Sequence, residues 1–312
     1  MTLMEESFDR AFNEPFCLPV TIQKGFVAFM DILGFSHIRK SKDGFRSTEE
    51  NAAGVIFGMM NDALTEKDEL IRILDPRYMM DDSESENYKF NKGEYETLKR
   101  DQSLIRDNIS ISYVSDSFVC LANIGEKDRN ASSFVTTAFF TLISSIATTM
   151  FKNGLPLRGG VSFGKYVANA PANKRPTAFL GEALIKAHAV EMTGCSASVI
   201  LDELAEEKCK ELYMPWRYEK SIYDWMHLCI ADVAQKAHGR SGTAAINKRM
   251  CVNIQSTYLY QDDYRHHVEY FFSQHGKDIS EEEVASKIAY TAKFLKSRAV
   301  VPEIYRGNRS LR

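Results

Sequence analysis

The chain has little net charge to offer a charged partner. Its 312 residues include 39 Lys and Arg against 42 Asp and Glu, which gives a formal net charge of −3 at pH 7. A balance this close to zero supplies no overall positive field, so the sequence excludes binding of nucleic acid or of an anionic membrane by bulk charge. Any partner is therefore expected to be recognised locally.

Closely spaced cysteines and an export signal are also missing. No two of the six cysteines have the C-x-x-C spacing of zinc or redox sites; they are Cys17, Cys120, Cys195, Cys209, Cys229 and Cys251. The first residues include the acids Glu5 and Glu6, where a signal peptide carries basic residues and then an apolar run. We therefore expect reduced core thiols in a cytoplasmic protein.

Residues 132–151 form one long stretch without charge, close to the ~20 residues that span a bilayer. The Ser and Thr residues in it recur at a spacing of four, which places them along one face of a helix, and the other face is apolar. This pattern predicts a core helix with a weakly polar back, and no membrane span.

The order of apolar patterns predicts an α+β fold. A buried strand at residues 25–30 ends at Asp31, and a helix follows at 49–64. Two β-rich arms at 108–122 flank the turn Ser115-Asp116-Ser117, which predicts a hairpin. The uncharged helix comes next, then a strand at 155–164 and a helix at 181–191. Strand, helix, hairpin, helix and strand predict an antiparallel sheet with helices on one face.

The remaining segments carry weaker signals. Residues 75–107 are polar without apolar periodicity, and this predicts a solvated insertion. Beyond residue 195 the patterns at 201–213, 223–237 and 280–297 predict helices. We therefore expect one domain at residues 1–195 and a mainly helical extension at 196–312 that serves dimerisation or regulation.

Two acids follow the elements that a common sheet would bring together. Asp31 ends the first strand and Asp116 lies in the hairpin turn, so both carboxylates would emerge at one sheet edge. Carboxylate and phosphate oxygens are the ligands that Mg²⁺ and Mn²⁺ prefer, and a pair of such ions supports displacement at phosphorus. The alternative is ordinary, because Asp at a strand end often forms a turn or caps a helix.

Four segments in one order resemble the motifs of class III nucleotide cyclases. They are residues 29–36 (F-M-D-I-L-G-F-S), 114–118 (V-S-D-S-F), 157–164 (L-R-G-G-V-S-F-G) and the helix at 181–191. The family's segments are F-x-D-I-x-G-F-T/S, G-D, L-R-x-G-I-x-x-G and G-x-x-V-N-x-A-x-R-L-E. The resemblance covers residues 25–192 and implies that residues 1–195 are a catalytic domain. Its fold would be a ferredoxin-like βαββαβ palm core that works as a head-to-tail homodimer.

The resemblance also implies a two-metal site. Asp31, Asp116 and the backbone carbonyl of Ile32 would bind two divalent cations, Mn²⁺ or Mg²⁺. Backbone amides at the following helix start would cradle phosphates; these are the amides of Leu33, Gly34, Phe35 and Ser36. Arg158 falls on the family's strand arginine, and it would either face phosphate or form a structural salt bridge.

Several positions depart from the purine cyclases. Ile185 and Ala189 stand where the family has its transition-state asparagine and arginine. Ser112 replaces the adenine-reading lysine, and Ala178 replaces its partner acid. The purine-reading set is therefore absent.

Residues 26–36 and 158–164 are more similar to the bacterial pyrimidine cyclases of the Pycsar anti-phage systems, which share F-x-A-F-x-D-I-x-G-F-S and R-G-G-V-S-x-G. This resemblance implies conversion of UTP, or less readily CTP, to the 3′,5′-cyclic monophosphate and pyrophosphate. The product would act on a separate cell-killing effector.

Charge in the transition state still needs a cation. Lys186 and His188 flank the vacated helix positions, and Arg158 and Lys165 lie on or after the strand; of these we rank Arg158 first and Lys186 second. The base pocket is expected at Phe29, Ser112, Tyr113 and Ala178, although an aromatic such as Tyr113 in a strand more often packs in the core. Three other readings stay open: a pseudo-cyclase that binds nucleotide or a partner without turnover, a purine cyclase with replaced readers, and another palm-type phosphoryl transferase.

Overall fold

The computed structural model describes residues 21–33, 46–73, 92–125, 127–169, 176, 178–213, 227–236, 244–254, 264–273 and 280–297. The strands in these ranges are β1 (Thr21–Ile32), β2 (Ile109–Val114), β3 (Ser117–Asn123), β4 (Leu157–Ala168), β5 (Phe179–Leu180), β6 (Val199–Leu201), β7 (Leu228–Gln235) and β8 (Ala245–Val252). The helices are α1 (Arg46–Ile73), α2 (Lys92–Asn108), α3 (Arg129–Lys152), α4 (Glu182–Thr193), α5 (Glu203–Leu212), α6 (Tyr264–Ser273) and α7 (Glu282–Ser297).

One sheet runs through all of these strands in the order β2-β3-β1-β4-β6-β8-β7, and β5 pairs with β4 beside this path. The first four strands are antiparallel throughout, with β1 in the middle between β3 and β4. Connected in chain order through α1, α2 and α3, they form the ferredoxin-like βαββαβ core of an α+β fold. The fold class expected from the sequence is confirmed.

The main core lies between one face of this sheet and α3. Even-numbered residues of β1 point into it because side chains alternate along a strand, and Phe26 packs with its ring centroid 5.8 Å from that of Phe139 and 5.3 Å from that of Phe140. Helix α1 contacts α3 and carries Met60, Ala63 and Leu64 into the same cluster. Helices α1 and α3 therefore cover this face of β1.

Helix α3 is the uncharged segment of the sequence. Asp128 caps its start by accepting from the backbone N–H groups of Asn130 and Ala131. The helix is long and apolar enough to cross a membrane, but most of it is buried inside the fold. Most of its hydroxyls are buried as well, and three threonines donate to carbonyls four residues earlier, as Thr136 does to Ser132 over 2.8 Å. The prediction of a core helix is confirmed, and most of its weakly polar back is enclosed as well.

The two helices that the sequence predicts on one face, α1 and α3, pack in the same core cluster, whereas a later helix does not join them. Helix α4 lies on the opposite face, where Ala183 and Ala187 pack with Val27 and Val119. The close approach requires Gly160 on β4, since a Cβ there would lie 2.1 Å from the carbonyl oxygen of Ala187. Small residues on both sides therefore let α4 rest directly on the sheet.

Two segments differ from their predicted structure. Residues 92–108 of the expected insertion form helix α2, which is anchored by buried Leu98 and Ile105, while residues 75–91 lie outside the described part. Residues 228–235 form β7 and not a helix, because they pair along their length with β8. The extension therefore contributes three strands to the sheet in addition to α5, α6 and α7. The helices expected at 201–213 and 280–297 are confirmed as α5 and α7.

Candidate active site

Asp31 lies at the end of β1 between two neighbouring strands. The register places it opposite Ser117 of β3 on one side and Arg158 of β4 on the other. The Ser117 hydroxyl donates to Asp31 Oδ1 over 3.2 Å, and Arg158 Nη2 lies 3.6 Å from Asp31 Oδ2. All three side chains point to the face that α4 covers, and Asp31 remains 25% exposed.

Asp116 lies beside this cluster in the turn between β2 and β3. Ser115, the other turn residue, has a φ of 58°, in the left-handed region that residues other than glycine rarely adopt. The turn is tied to β1, since the Ile32 amide donates to the Asp116 carbonyl over 3.2 Å. The structure thus brings together the two carboxylates that the sequence predicts at one sheet edge.

Arg158 is held by Glu191 of α4. Its Nε donates to Glu191 Oε1 over 2.5 Å and its Nη2 pairs with the same oxygen, while Nη1 donates to the Gly194 carbonyl over 3.3 Å. Glu191 is 1% exposed, so the pair is a buried link between α4 and the sheet. Arg158 therefore forms the structural ion pair weighed from the sequence and also contacts Asp31, while a phosphate-facing role stays a prediction.

The environment of Asp31 disfavours its charge. Burial, together with the negative charges of Asp116 and Glu191, raises the pKa of Asp31 to about 6, while Arg158 and the Ser117 hydrogen bond act in the opposite direction. An acid with this surplus of negative neighbours is a typical place for a cation to bind.

The donor set fits a divalent cation that shares its coordination with a ligand. Among the residues that the structure describes, no three or more His, Cys, Asp or Glu are grouped to hold a metal ion alone. Mg²⁺ is usually held by one or two carboxylates, with water and substrate phosphates completing the shell, and Mn²⁺ favours the same oxygens. Asp31 and Asp116 are such a pair, and the repulsion between them is what a cation would relieve.

The expected phosphate cradle is only partly described. The Leu33 amide donates to the Pro156 carbonyl over 2.8 Å and its side chain is buried, so this amide is occupied within the fold and the prediction for Leu33 is corrected. Gly34, Phe35 and Ser36 lie outside the described residues. A role for their amides stays a prediction.

The four base-pocket candidates divide between the two faces of the sheet. Phe29 is on the Asp31 face, and the register aligns it through Val119 with Ser112 of β2. The Ser112 hydroxyl donates to the Pro176 carbonyl over 2.7 Å, which brings β2 next to the segment that contains Ala178. Tyr113 packs against the main core on the other face.

Lys186 is not joined to the Asp31 cluster by any contact in the described structure. Its Nζ pairs with Glu182 Oε1 over 2.5 Å one turn earlier on α4, and its side chain is 41% exposed. Pairing with Glu182 raises the pKa of Lys186.

Sequence reasoning missed Ser117 and Glu191 as neighbours of the site, and it ranked His188 below Lys186. His188 packs on Phe29 with ring centroids 4.7 Å apart, and its Nδ1 lies 3.3 Å from Glu191 Oε2. The sequence does contain a signal for Glu191. It follows Ala183 and Ala187 at a spacing of four, which places it on the same buried face of α4.

No protein-family model and no curated protein matches the chain. Among solved structures, the chain is similar to the crystal structure of the adenylyl cyclase CyaB from P. aeruginosa. The sequences are 12% identical, the TM-score is 0.41, and the match covers 77% of this chain and 98% of that chain.

Proposed function

We propose that the chain is a metal-dependent nucleotide cyclase that converts UTP, or less readily CTP, to the 3′,5′-cyclic monophosphate. The single observation that carries this proposal is the convergence of Asp31 and Asp116 at one sheet edge, with Arg158 of β4 beside Asp31. Two acids and one cation on a βαββαβ sheet are suited to hold a nucleoside triphosphate through its phosphates.

In this proposal the 3′-oxygen of the ribose forms a bond to the α-phosphorus, the bond from that phosphorus to the β-bridging oxygen breaks, and pyrophosphate leaves. The hydroxyl proton is released to solvent. A bound Mg²⁺ or Mn²⁺ would neutralise phosphate charge and acidify the hydroxyl. Asp31 and Asp116 hold the cation, Ser117 fixes one oxygen of Asp31, and Arg158 supplies positive charge next to it.

The preference for a pyrimidine is supported by the side chains of β2 and of the segment beside it that contains Ala178. Ser112 stands where adenylate cyclases carry a base-reading lysine, and its hydroxyl already donates to the Pro176 carbonyl. Ala178 offers no acid beside it. Phe29 remains as an apolar ring at the site, and it can pack against either pyrimidine.

A head-to-tail homodimer is part of the same proposal. Ile185 and Met192 are 65% and 54% exposed and lie seven residues apart, on one side of α4. An exposed apolar strip on the helix that also bears Glu191 is suited to contact a second copy near the site. The cyclic product would then diffuse to a separate effector, in keeping with the anti-phage systems that the sequence resembles.

A second candidate function is nucleotide binding without turnover. The observation that favours it is the pairing of Arg158 with buried Glu191. In this pair Arg158 links α4 to the sheet and is less available to bind a substrate phosphate. Ile185 and Ala189, which stand at the family's transition-state positions, supply no replacement.

Mn²⁺-dependent turnover of UTP and CTP by matched variants tests the proposal. Asp31→Asn and Asp116→Asn are each expected to abolish cyclic product. Asp62→Asn, an exposed acid on α1 in the helix layer behind the sheet, is the control and should keep wild-type turnover. Saturable UTP binding with no product from the wild-type chain would favour the second candidate.

A further inference from the structure

The buried carboxylate of Glu191 contacts two partners, one through each oxygen. Oε1 accepts from Arg158, while Oε2 lies 3.3 Å from His188 Nδ1. The Glu191 side chain is 2% exposed, and a carboxylate so deeply buried requires such partners to remain charged. Arg158 in turn contacts Asp31, so a continuous chain of polar contacts runs from Asp31 to His188.

His188 lies on the face of the sheet to which Asp31 points. Its ring meets that of Phe29 edge-on with centroids 4.7 Å apart, and Phe29 is two residues before Asp31 on the same side of β1. The side chain is 52% exposed. Because Nδ1 faces Glu191, Nε2 is the remaining polar atom of a half-exposed ring.

The geometry of α4 separates His188 from Lys186. Residues two apart on a helix differ by about 200° in direction, so the two side chains leave α4 on opposite sides. Lys186 pairs with Glu182, whereas His188 and Glu191, three residues apart, are neighbours on one side. Of these two basic residues, only His188 is linked to Asp31 through described contacts.

We propose that His188, positioned by Glu191, is the α4 side chain that binds the anionic phosphates of the substrate at this site. The inference rests on the proposed function for the identity of the substrate, but the binding step requires only a polyphosphate. The 3.3 Å approach of Nδ1 to Glu191 Oε2 leaves Nε2 to donate to a phosphate oxygen, and hydrogen bonds to an ionised acceptor are short and directional. Arg158 approaches the same anion from β4, and Glu191 orients both side chains without itself touching substrate.

Calorimetric titration of the full chain with inorganic pyrophosphate in the presence of Mn²⁺ tests binding without turnover. His188→Ala is expected to weaken pyrophosphate binding by about 10- to 100-fold, the range for one charge-assisted hydrogen bond. His188→Lys, which restores a cation, should recover part of the loss. His266→Ala, an exposed histidine on α6, is the control and should bind pyrophosphate as the wild type does.

Glu191→Gln tests the positioning role, because glutamine keeps the shape but not the charge. It is expected to weaken pyrophosphate binding less than His188→Ala does. In the double variant the two losses should be less than additive, because part of the Glu191 effect acts through His188 and the rest through Arg158. In turnover, His188→Ala should raise KM for UTP by a similar factor and change kcat less. Full additivity of the two substitutions would overturn the positioning role.

Failure of this inference is distinguishable from failure of the proposed function. Wild-type pyrophosphate affinity and unchanged KM in His188→Ala, in a chain that forms cyclic product, would overturn the role of His188 and leave the cyclase intact. Weakened pyrophosphate binding in His188→Ala, in a chain that forms no cyclic product from any nucleotide, would support the role of His188 and contradict the cyclase.

Discussion

The Ser117 hydroxyl donates to Asp31 Oδ1 over 3.2 Å, across strands that the chain separates by 86 residues. The register of β1 against β3 creates this contact, and Arg158 reaches the other oxygen of Asp31 from β4. Asp31 is thus held from both sides before any ligand binds, which leaves little reorganisation for the moment of binding.

Ser117→Ala is expected to shift the acid limb of Mn²⁺ binding upward by about 0.5–1 pH unit. The Ser117 hydrogen bond lowers the pKa of Asp31, and the loss of a bond worth roughly 1 kcal/mol lets the proton compete with the cation at higher pH. Titration of Mn²⁺ binding between pH 5 and 8 measures the shift. The control is Ser103→Ala, an exposed serine of α2, and an unmoved limb in Ser117→Ala would contradict the account.

Asp31→Asn should stabilise the metal-free protein, and more so as pH rises. The folded-state pKa of Asp31 is about 6, above the ordinary 3.8, so its contribution to stability is full below pH 3.8 and is lost as pH rises through 6. The gain from Asn is therefore near zero at pH 4 and on the order of 1–2 kcal/mol at pH 8, after allowance for partial exposure. Urea denaturation at both pH values measures it. A gain in Asp31→Asn that is equal at both would be inconsistent with the raised pKa.

Gly160→Ala is expected to destabilise the fold by about 2–3 kcal/mol. The added Cβ would lie 2.1 Å from the Ala187 carbonyl oxygen and must displace α4, which also carries Glu191. Gly54→Ala on α1 is the matched control, because its Cβ meets nothing within 4 Å, and alanine should gain about 0.5–1 kcal/mol in a helix. Equal effects at both positions in urea denaturation would show that α4 does not rest on Gly160.

Ser115→Gly is expected to raise the free energy of unfolding by about 0.5–1 kcal/mol. Ser115 has a φ of 58°, which glycine adopts without steric cost. The same change at Ser103, inside α2, should instead lower stability by roughly 0.5 kcal/mol. Chemical denaturation of the two variants measures both signs, and a loss of stability at position 115 would refute the left-handed turn.

Ile185→Asp and Met192→Asp are expected to convert a dimer to monomers and to reduce cyclase turnover at least tenfold. A charge buried in an apolar interface is costly, and both residues lie on the exposed side of α4. Phe57→Asp, at an exposed apolar position of α1, is the control. Sedimentation velocity gives the mass. A wild-type chain that is monomeric at assay concentration and fully active would contradict the dimer.

The sequence predicted the strands near the site well, because local patterns determine them. The apolar run at 25–30 and the arms around Ser115 became β1, β2 and β3. Helix α2 escaped prediction because Leu98 and Ile105 are its only two fully buried apolar anchors, too few to show periodicity in a polar stretch. Strand β7 was predicted as a helix because a short apolar run fits either structure, and pairing with β8 is what makes it a strand.

Within the site, residues set by strand register were predictable and those set by helix docking were not. Asp31 and Asp116 follow from the order of β1 and the hairpin. The contact of Glu191 with Arg158 depends on how closely α4 approaches Gly160, a tertiary distance that no local pattern encodes. The same reason explains why Lys186 was ranked above His188.

Product analysis with each of the four nucleoside triphosphates tests the central claim most directly. The wild-type chain is incubated with Mn²⁺ and ATP, GTP, CTP or UTP labelled at the α-phosphate, and the cyclic products are resolved. The account expects a cyclic pyrimidine monophosphate, mainly from UTP, with one pyrophosphate per product and none from Asp31→Asn or Asp116→Asn. A cyclic purine as the main product would contradict the pyrimidine assignment, and no cyclic product from any of the four would contradict the cyclase itself.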